Sequence, residues 1–329
     1  MAHMINEKNG KASMIYYGEK PWHGLGTELK KPATAEEAMK EAQLDFTVEK
    51  MPIFFNSATK KSIEIADKYA TVRTDTNKAL GIVGSRYEPV QNSQAFSFFD
   101  SLVGEGEAIY HTAGVLGDGE RIWLLAKMPD YIKVKGVNGK EDVIEKFVLL
   151  TNSHDGSSPT IAKLTPIRVV CNNTLSAALR GTEQEVRIRH TASSEEKLRE
   201  AHKILGLTNQ LYTQLGTIFN SFSNKKVTES QTKKFFEEIM PNNILAKHNT
   251  RTENNRTKLF ELYETGMGSE FSKGTVWGLY NAITEYVDHE KYSNKQMKDG
   301  DFNKLEKIWF NGGENIKHKA FDMALELVK

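Results

Sequence analysis

The stretch AIYHTAGVLGDGERIWLLAKM, residues 108–128, decides the fold. It breaks into two apolar runs, Ala108-Gly114 and Arg121-Met128, around Gly117-Asp118-Gly119. Glycines admit the positive φ angles that a tight antiparallel turn needs, so the stretch predicts a β-hairpin. Downstream, Val143-Thr151 is a third run, and Phe147-Leu150 is apolar at every position. A strand apolar on both faces belongs in the middle of a sheet. A loop over Asn152-Ser158 leads into a fourth strand, Thr160-Leu164, and Pro166 stands where a helix can open. Val169, Val170, Asn173 and Ala177 continue at helical spacing, and Val186-Ile188 reads as a last strand.

Upstream of the hairpin, Thr34 and Glu37 make a capping box for a helix over Ala35-Gln43. Phe46-Val48 and Ile53-Phe55 read as strands. Ile63 and Ile65, and then Tyr69 and Val72, alternate with polar neighbours and predict two half-buried strands. Leu80-Val83 extends the sheet. Phe96, Phe99 and Val103 share one face of a helix over Ser93-Val103.

Near residue 192 the texture changes. Helical periodicity runs from Ser194 onward, through Glu195-Phe222, Glu229-Met240, Glu253-Met267, Val276-His289, Phe302-Phe310 and Ile316-Val328. The expected fold class is therefore α+β, an antiparallel, hairpin-rich body followed by an all-helical region. The expected division is a cloning remnant and leader over 1–20 (Met1-Ala2-His3-Met4 opening it), an α+β core over 21–192, and helices over 193–329.

Composition narrows the function classes. The 329 residues carry 44 basic and 43 acidic side chains, so any phosphate-binding surface must be a local patch and not a global field. With one cysteine, Cys171, intramolecular disulfides and thiolate-rich metal sites are out of reach. Cys171 sits in an apolar run, where a thiol is ordinarily core. No stretch approaches the roughly 18 apolar residues of a membrane span. The expected location is the cytoplasm of a bacterial host. No Gly-x-x-x-x-Gly-Lys-Ser/Thr loop and no HExxH pair is present, so no cofactor, metal or ATP-driven chemistry is expected.

Several strings resemble the phage- and plasmid-borne family called domain of unknown function 932. They are Pro21-Trp22-His23-Gly24-Leu25-Gly26-Thr27, Gly84-Ser85-Arg86-Tyr87 with Pro89-Val90-Gln91-Asn92, and Leu149 through Ser157. Thr165 through Leu175 and Thr284-Glu285-Tyr286-Val287-Asp288-His289 complete the set. The resemblance implies carriage on mobile DNA and leaves the activity open. The order of two hairpins and a helix also resembles, more weakly, the core of single-strand annealing proteins of the Rad fifty-two type.

Three readings of the chemistry follow. Arg86, Lys163, Arg168, Arg180, Arg187, Arg189 and His190 are candidate contacts to single-stranded DNA, since guanidiniums chelate phosphate and stack on bases. The bland alternative is a solvated charged surface. Trp22 is either a stacking platform or a pin for its own loop. Asn152, His154, Asp155 and Ser157 form either a site or a polar turn; no catalytic residue is assigned. The expected function is ATP-independent single-stranded DNA binding or annealing in recombination, by a homo-oligomer. The alternatives are a counter-defence protein that binds a host protein, and a nucleic-acid-processing enzyme.

Overall fold

The computed structural model describes residues 5–18, 21, 24–103, 108–168, 173–174, 185–194, 196–197, 208–242, 249–291 and 312–329. Strands β1 (Glu7–Lys8), β2 (Lys11–Ala12), β3 (Met14–Tyr17) and β4 (Thr27–Leu29) precede helix α1 (Ala35–Glu41). Strands β5 (Val48–Asn56), β6 (Ser62–Arg73) and β7 (Lys78–Gly84) lead to α2 (Asn92–Val103). Strands β8 (Ile109–Leu116), β9 (Arg121–Lys135), β10 (Glu141–Ser153), β11 (Thr160–Leu164), β12 (Ile167–Arg168), β13 (Asn173–Thr174) and β14 (Glu185–Ile188) follow. Then come α3 (Thr208–Asn224), α4 (Glu229–Ile239), α5 (Thr250–Thr265), α6 (Ser269–Ser272), α7 (Val276–Glu285) and α8 (Gly312–Val328). The fold is α+β, with antiparallel sheet in the first part of the chain and helices in the second.

The chain forms two compact units that interleave along the sequence. One comprises Met1–Pro129, Phe147–Leu164 and Glu185–Thr208; the other comprises Asp130–Lys146, Thr165–Gln184 and Asn209–Lys329. The break at 192 therefore marks a change of texture and not the division between units. The reason lies in β9 and β10, which run well past the expected hairpin. Their far ends, with buried Ile132, Val134 and Ile144, belong to the helical unit.

In the first unit the main sheet runs β4-β3-β8-β9-β10-β11-β14. Strand β3, inside the expected leader, lies between β4 and β8, with Ile15 fully buried. Inward-facing Tyr110, Ala113, Val115, Ile122, Leu124, Ala126, Val148 and Leu150 share one core with Ala38 of α1 and with Phe96 and Phe99 of α2. Trp123, Leu125, Phe147 and Leu149, on the other face, are buried too. Burial on both faces explains the unbroken apolar run of β10. The Thr34–Glu37 capping box is present, with Glu37 N–H donating to Thr34 Oγ1 at 3.2 Å.

A second sheet, β5-β6-β7, belongs to the same unit. Its registers are Met51↔Ala70 and Ala70↔Ile82 near the body, and Phe54↔Glu64 and Phe55↔Ile63 near the tip. Between the two zones β6 runs from Tyr69 to Glu64 while β5 advances only from Pro52 to Phe54. Asp67 absorbs part of that excess in the left-handed region at φ 58°. The alternation of Ile63 and Ile65 predicted half-buried strands, yet both residues are exposed, because among the described residues nothing covers either face of this ribbon.

In the helical unit every residue of α7 is buried. Trp277 and Tyr280 pack with Phe219, Phe222 and Phe321, and Trp277 Nε1 donates to Asp142 Oδ2 at 2.8 Å. Helix α7 passes into a π-turn over Tyr286–Glu290, where buried Lys317 pairs with Asp288. The helix expected to open at Pro166 is overturned. Ile167 and Arg168 pair instead with Glu145 and Ile144 of β10, and β13 pairs with them in turn. Proline suits a strand entrance as well as a helix start, and the β10 edge supplies the backbone partners. Cys171 and the segment expected as a helix over Phe302-Phe310 lie outside the described residues.

Candidate functional site

The polar loop after β10 is built into the first unit. Asn152 is fully buried; its Nδ2 donates to Val90 O at 2.8 Å and its Oδ1 accepts from Thr160 Oγ1 at 2.7 Å. His154 N–H donates to Glu120 O at 2.7 Å, and the fully buried imidazole meets Asn92 Oδ1 through Nε2 at 2.8 Å. Asn92 Nδ2 donates to Leu44 O and Phe46 O, so its oxygen must face the ring and Nε2 must carry the proton. Nδ1 is then a bare acceptor, with no hydrogen-bond partner among the described residues. Burial, with His190 and Arg73 adding to it and Asp155 opposing, drives the His154 pKa down to about 3. The ring is neutral at pH 7.

Asp155 points elsewhere. Its carboxylate accepts from the Ser153 hydroxyl, from Ser157 Oγ at 2.6 Å and from Ser157 N–H at 2.9 Å. Burial works against its charge, but these serine hydrogen bonds, together with Arg121, hold its pKa below the ordinary carboxylate value. The Ser157 hydroxyl thus serves the carboxylate and not the imidazole. The neighbouring Glu120 carboxyl is pushed up by burial, with Asp118 and Asp155 adding to the effect. This is the geometry of an Asx-type turn stapled to the core, and it assembles no serine–histidine pair.

Around this turn the strings 84–92 and 149–157 meet. Tyr87 Oη donates to Ser153 O at 3.0 Å. The Tyr87 ring stacks on His190, with centroids 4.8 Å apart and planes 8° from parallel. Glu88 N–H donates to His190 O at 3.1 Å, and Val90 N–H reaches His190 Nδ1 at 3.4 Å. Burial lowers the His190 pKa to about 4 against the opposing pull of Asp155 and the Ser158 backbone. Burial, helped by Asp155, raises that of Tyr87. Gly81 is what lets β7 approach: a Cβ there would stand 2.3 Å from Asp155 O.

The candidate DNA contacts divide. Arg86, Arg187 and Arg189 are exposed and belong to the first unit, with Arg187 Nε 2.5 Å from Glu185 Oε1. His190 is buried beneath its stack, and Lys163 is buried on β11 opposite Leu149 and Glu185. Arg168 lies on β12 in the other unit. Trp22 and Arg180 are outside the described residues. Of the described candidates, Arg86, Lys163, Arg187, Arg189 and His190 thus share the first unit and Arg168 does not.

Sequence reasoning missed Asn92 and Thr160, the two partners that make the loop rigid. It also missed Arg73, buried with its guanidinium 3.9 Å over the Phe46 ring and its Nε 2.7 Å from Asp75 Oδ1. Burial opposes the Asp75 charge, yet hydrogen bonds from Arg73 and Lys8 bring its pKa down to about 2. The one available signal was that Asn92 and Asn152 both fall inside strings shared with the family. Among the described residues no group of His, Cys, Asp and Glu is placed to hold a metal ion, and no helix is long and apolar enough to cross a membrane.

No curated protein and no solved structure matches the chain. A sequence model of the family described as a domain of unknown function, DUF932, matches residues 79–309. That span covers more than half of the chain and holds both strings that meet at the Tyr87–His190 joint, and the chain belongs to this family.

Proposed function

We propose that the protein binds single-stranded DNA without ATP, through the surface around the Tyr87–His190 joint. The observation that carries this reading is the joint itself. It ties the chain at Tyr87 to the chain at His190, and each ring is preceded by an exposed arginine, Arg86 and Arg189. Arg187, exposed on β14, adds a third cation to the same unit, partly offset by Glu185. Guanidiniums held on a rigid frame grip phosphates at little ordering cost, and a chain with near-zero net charge needs such a local patch. The loop of Asn152, His154, Asp155 and Ser157 acts in this reading as the frame, not as chemistry. Annealing, recombination and a place in phage or plasmid biology belong to the same proposal.

The test is charge reversal. Arg86→Glu with Arg189→Glu should weaken oligonucleotide binding at low salt by about tenfold or more. It should also lower the slope of log affinity against log salt, by about 0.7 for each single-strand phosphate that is no longer neutralised. Unchanged affinity and slope would reject the surface.

A further inference from the structure

Arg86 is presented by a turn that one lysine holds in place. Tyr87 N–H donates to Gly84 O at 3.1 Å and closes the turn, with Ser85 and Arg86 exposed at its corner. Lys50 reaches this turn from β5. Its Nζ donates to Ser85 O at 2.9 Å, to Tyr87 O at 2.8 Å and to Glu88 Oε1 at 2.8 Å. A lysine ammonium has three N–H donors, so all three are used. The same ammonium lies 5.2 Å from the centre of the Tyr69 ring, within cation–π range.

The acceptors bracket Arg86. The Ser85 carbonyl belongs to the peptide plane that enters Arg86, and the Tyr87 carbonyl lies one residue beyond it. With both aimed at one ammonium, the Arg86 backbone is fixed from each side. Tyr87 Oη to Ser153 O and Glu88 N–H to His190 O anchor the segment after Arg86, and Lys50 adds the tie at Ser85.

Lys50 is therefore basic, near the proposed DNA surface and yet poorly placed to take a phosphate itself. Its side chain is 19% exposed, its donors are occupied and Glu88 offsets its charge. Its contribution runs through Arg86 instead. A long side chain loses freedom when it grips a ligand, and a backbone set in advance reduces that loss. An arginine would not substitute, because a guanidinium spreads its donors over a planar fork and does not gather three acceptors at one point.

We infer that Lys50 is a positioning residue for phosphate binding by Arg86, a three-way clamp on the turn that presents it. The inference rests on the DNA-binding reading above. It is tested by fluorescence anisotropy of the full chain with a labelled single-stranded oligonucleotide. Lys50→Met/Glu88→Gln removes the clamp and leaves the net charge unchanged. Affinity at low salt should fall by about fivefold, with the salt slope unchanged because the same phosphates are neutralised. In an Arg86→Gln chain the same two substitutions should cost less than about twofold more. Chemical rescue guards against loss of fold. Cys171 is the chain's one cysteine, so Lys50→Cys can be made in a Cys171→Ser chain and treated with bromoethylamine. The untreated variant should bind weakly, and aminoethylation, which rebuilds an ammonium of similar reach, should restore binding. A clamp-free chain that binds as tightly as the wild type would overturn the inference. So would a salt slope that falls with affinity, which marks Lys50 as a direct contact, or an equal loss with and without Arg86. Each of those results leaves the DNA-binding reading standing, whereas a wild-type chain that does not bind the oligonucleotide removes both.

Discussion

At the end of β10, Asn152, Ser153 and His154 lie inside the first unit, while along the β5–β6 ribbon Phe54, Phe55 and Ile63 lie outside it. Both regions run against the ordinary placement of residues, and they differ in whether the chain itself compensates. Inside, Asn152 and Asn92 are matched donor for acceptor and His154 is neutral with Nε2 hydrogen-bonded, which fixes one geometry and leaves Nδ1 as the ring's one orphaned atom among the described residues. Outside, Phe54, Phe55 and Ile63 stay exposed on the sheet that carries them. The loop rich in catalytic residue types is thus held by the core, and the ribbon that reads as ordinary sheet keeps large apolar side chains exposed.

The comparison breaks first at Asn152. Asn152→Ala would strand the buried Val90 carbonyl and the Thr160 hydroxyl together. At about 1–3 kcal/mol for each unsatisfied group, it should cost roughly 2–6 kcal/mol of stability, read from urea unfolding. A loss under about 1 kcal/mol would mean the network is not tight.

Acidification probes the same interior. His154 and His190 have folded pKa values of about 3 and about 4 against an ordinary 6.5. The unfolded chain binds protons at these residues before the folded chain does, so their contribution is fully present above about pH 6.5 and is lost as pH falls toward 4. The carboxylates Asp75 and Asp155 start from an ordinary 3.8 and act only below that window. Between pH 7 and 4.5 the urea midpoint should fall by the equivalent of more than about 2 kcal/mol, with a shallower fall in His190→Gln. A flat profile would show that the histidines are not buried as described.

The smallest expected effect lies on the ribbon. Phe55→Ser/Ile63→Ser should change stability by only about 0.5 kcal/mol per site in urea unfolding, because little burial is lost. A large loss would place these side chains inside the molecule and erase the contrast.

How legible each region was in the sequence follows from the same physics. Phe147–Leu150 announced a strand buried on both faces, and Thr34 with Glu37 announced a helix start; both signals are local and both are present. The alternation at Ile63 and Ile65 showed that a face is apolar but not whether anything covers it. Pro166 is compatible with a helix start and with a strand entrance, and only the free edge of β10 decides. The Val90 carbonyl that Asn152 meets and the Asn92 amide that His154 meets both lie 62 residues upstream, a separation that no spacing rule reaches. The arginines were visible as a cluster in sequence, yet the interleaving of the two units assigns Arg168 to one and Arg187 and Arg189 to the other.

The most direct test of the DNA-binding account is fluorescence anisotropy of the purified full chain against labelled single-stranded and double-stranded oligonucleotides, each at low and high salt. The account predicts tighter binding to the single strand, and affinity that falls steeply as salt rises. No binding at low salt, or equal affinity for duplex and single strand, would contradict it.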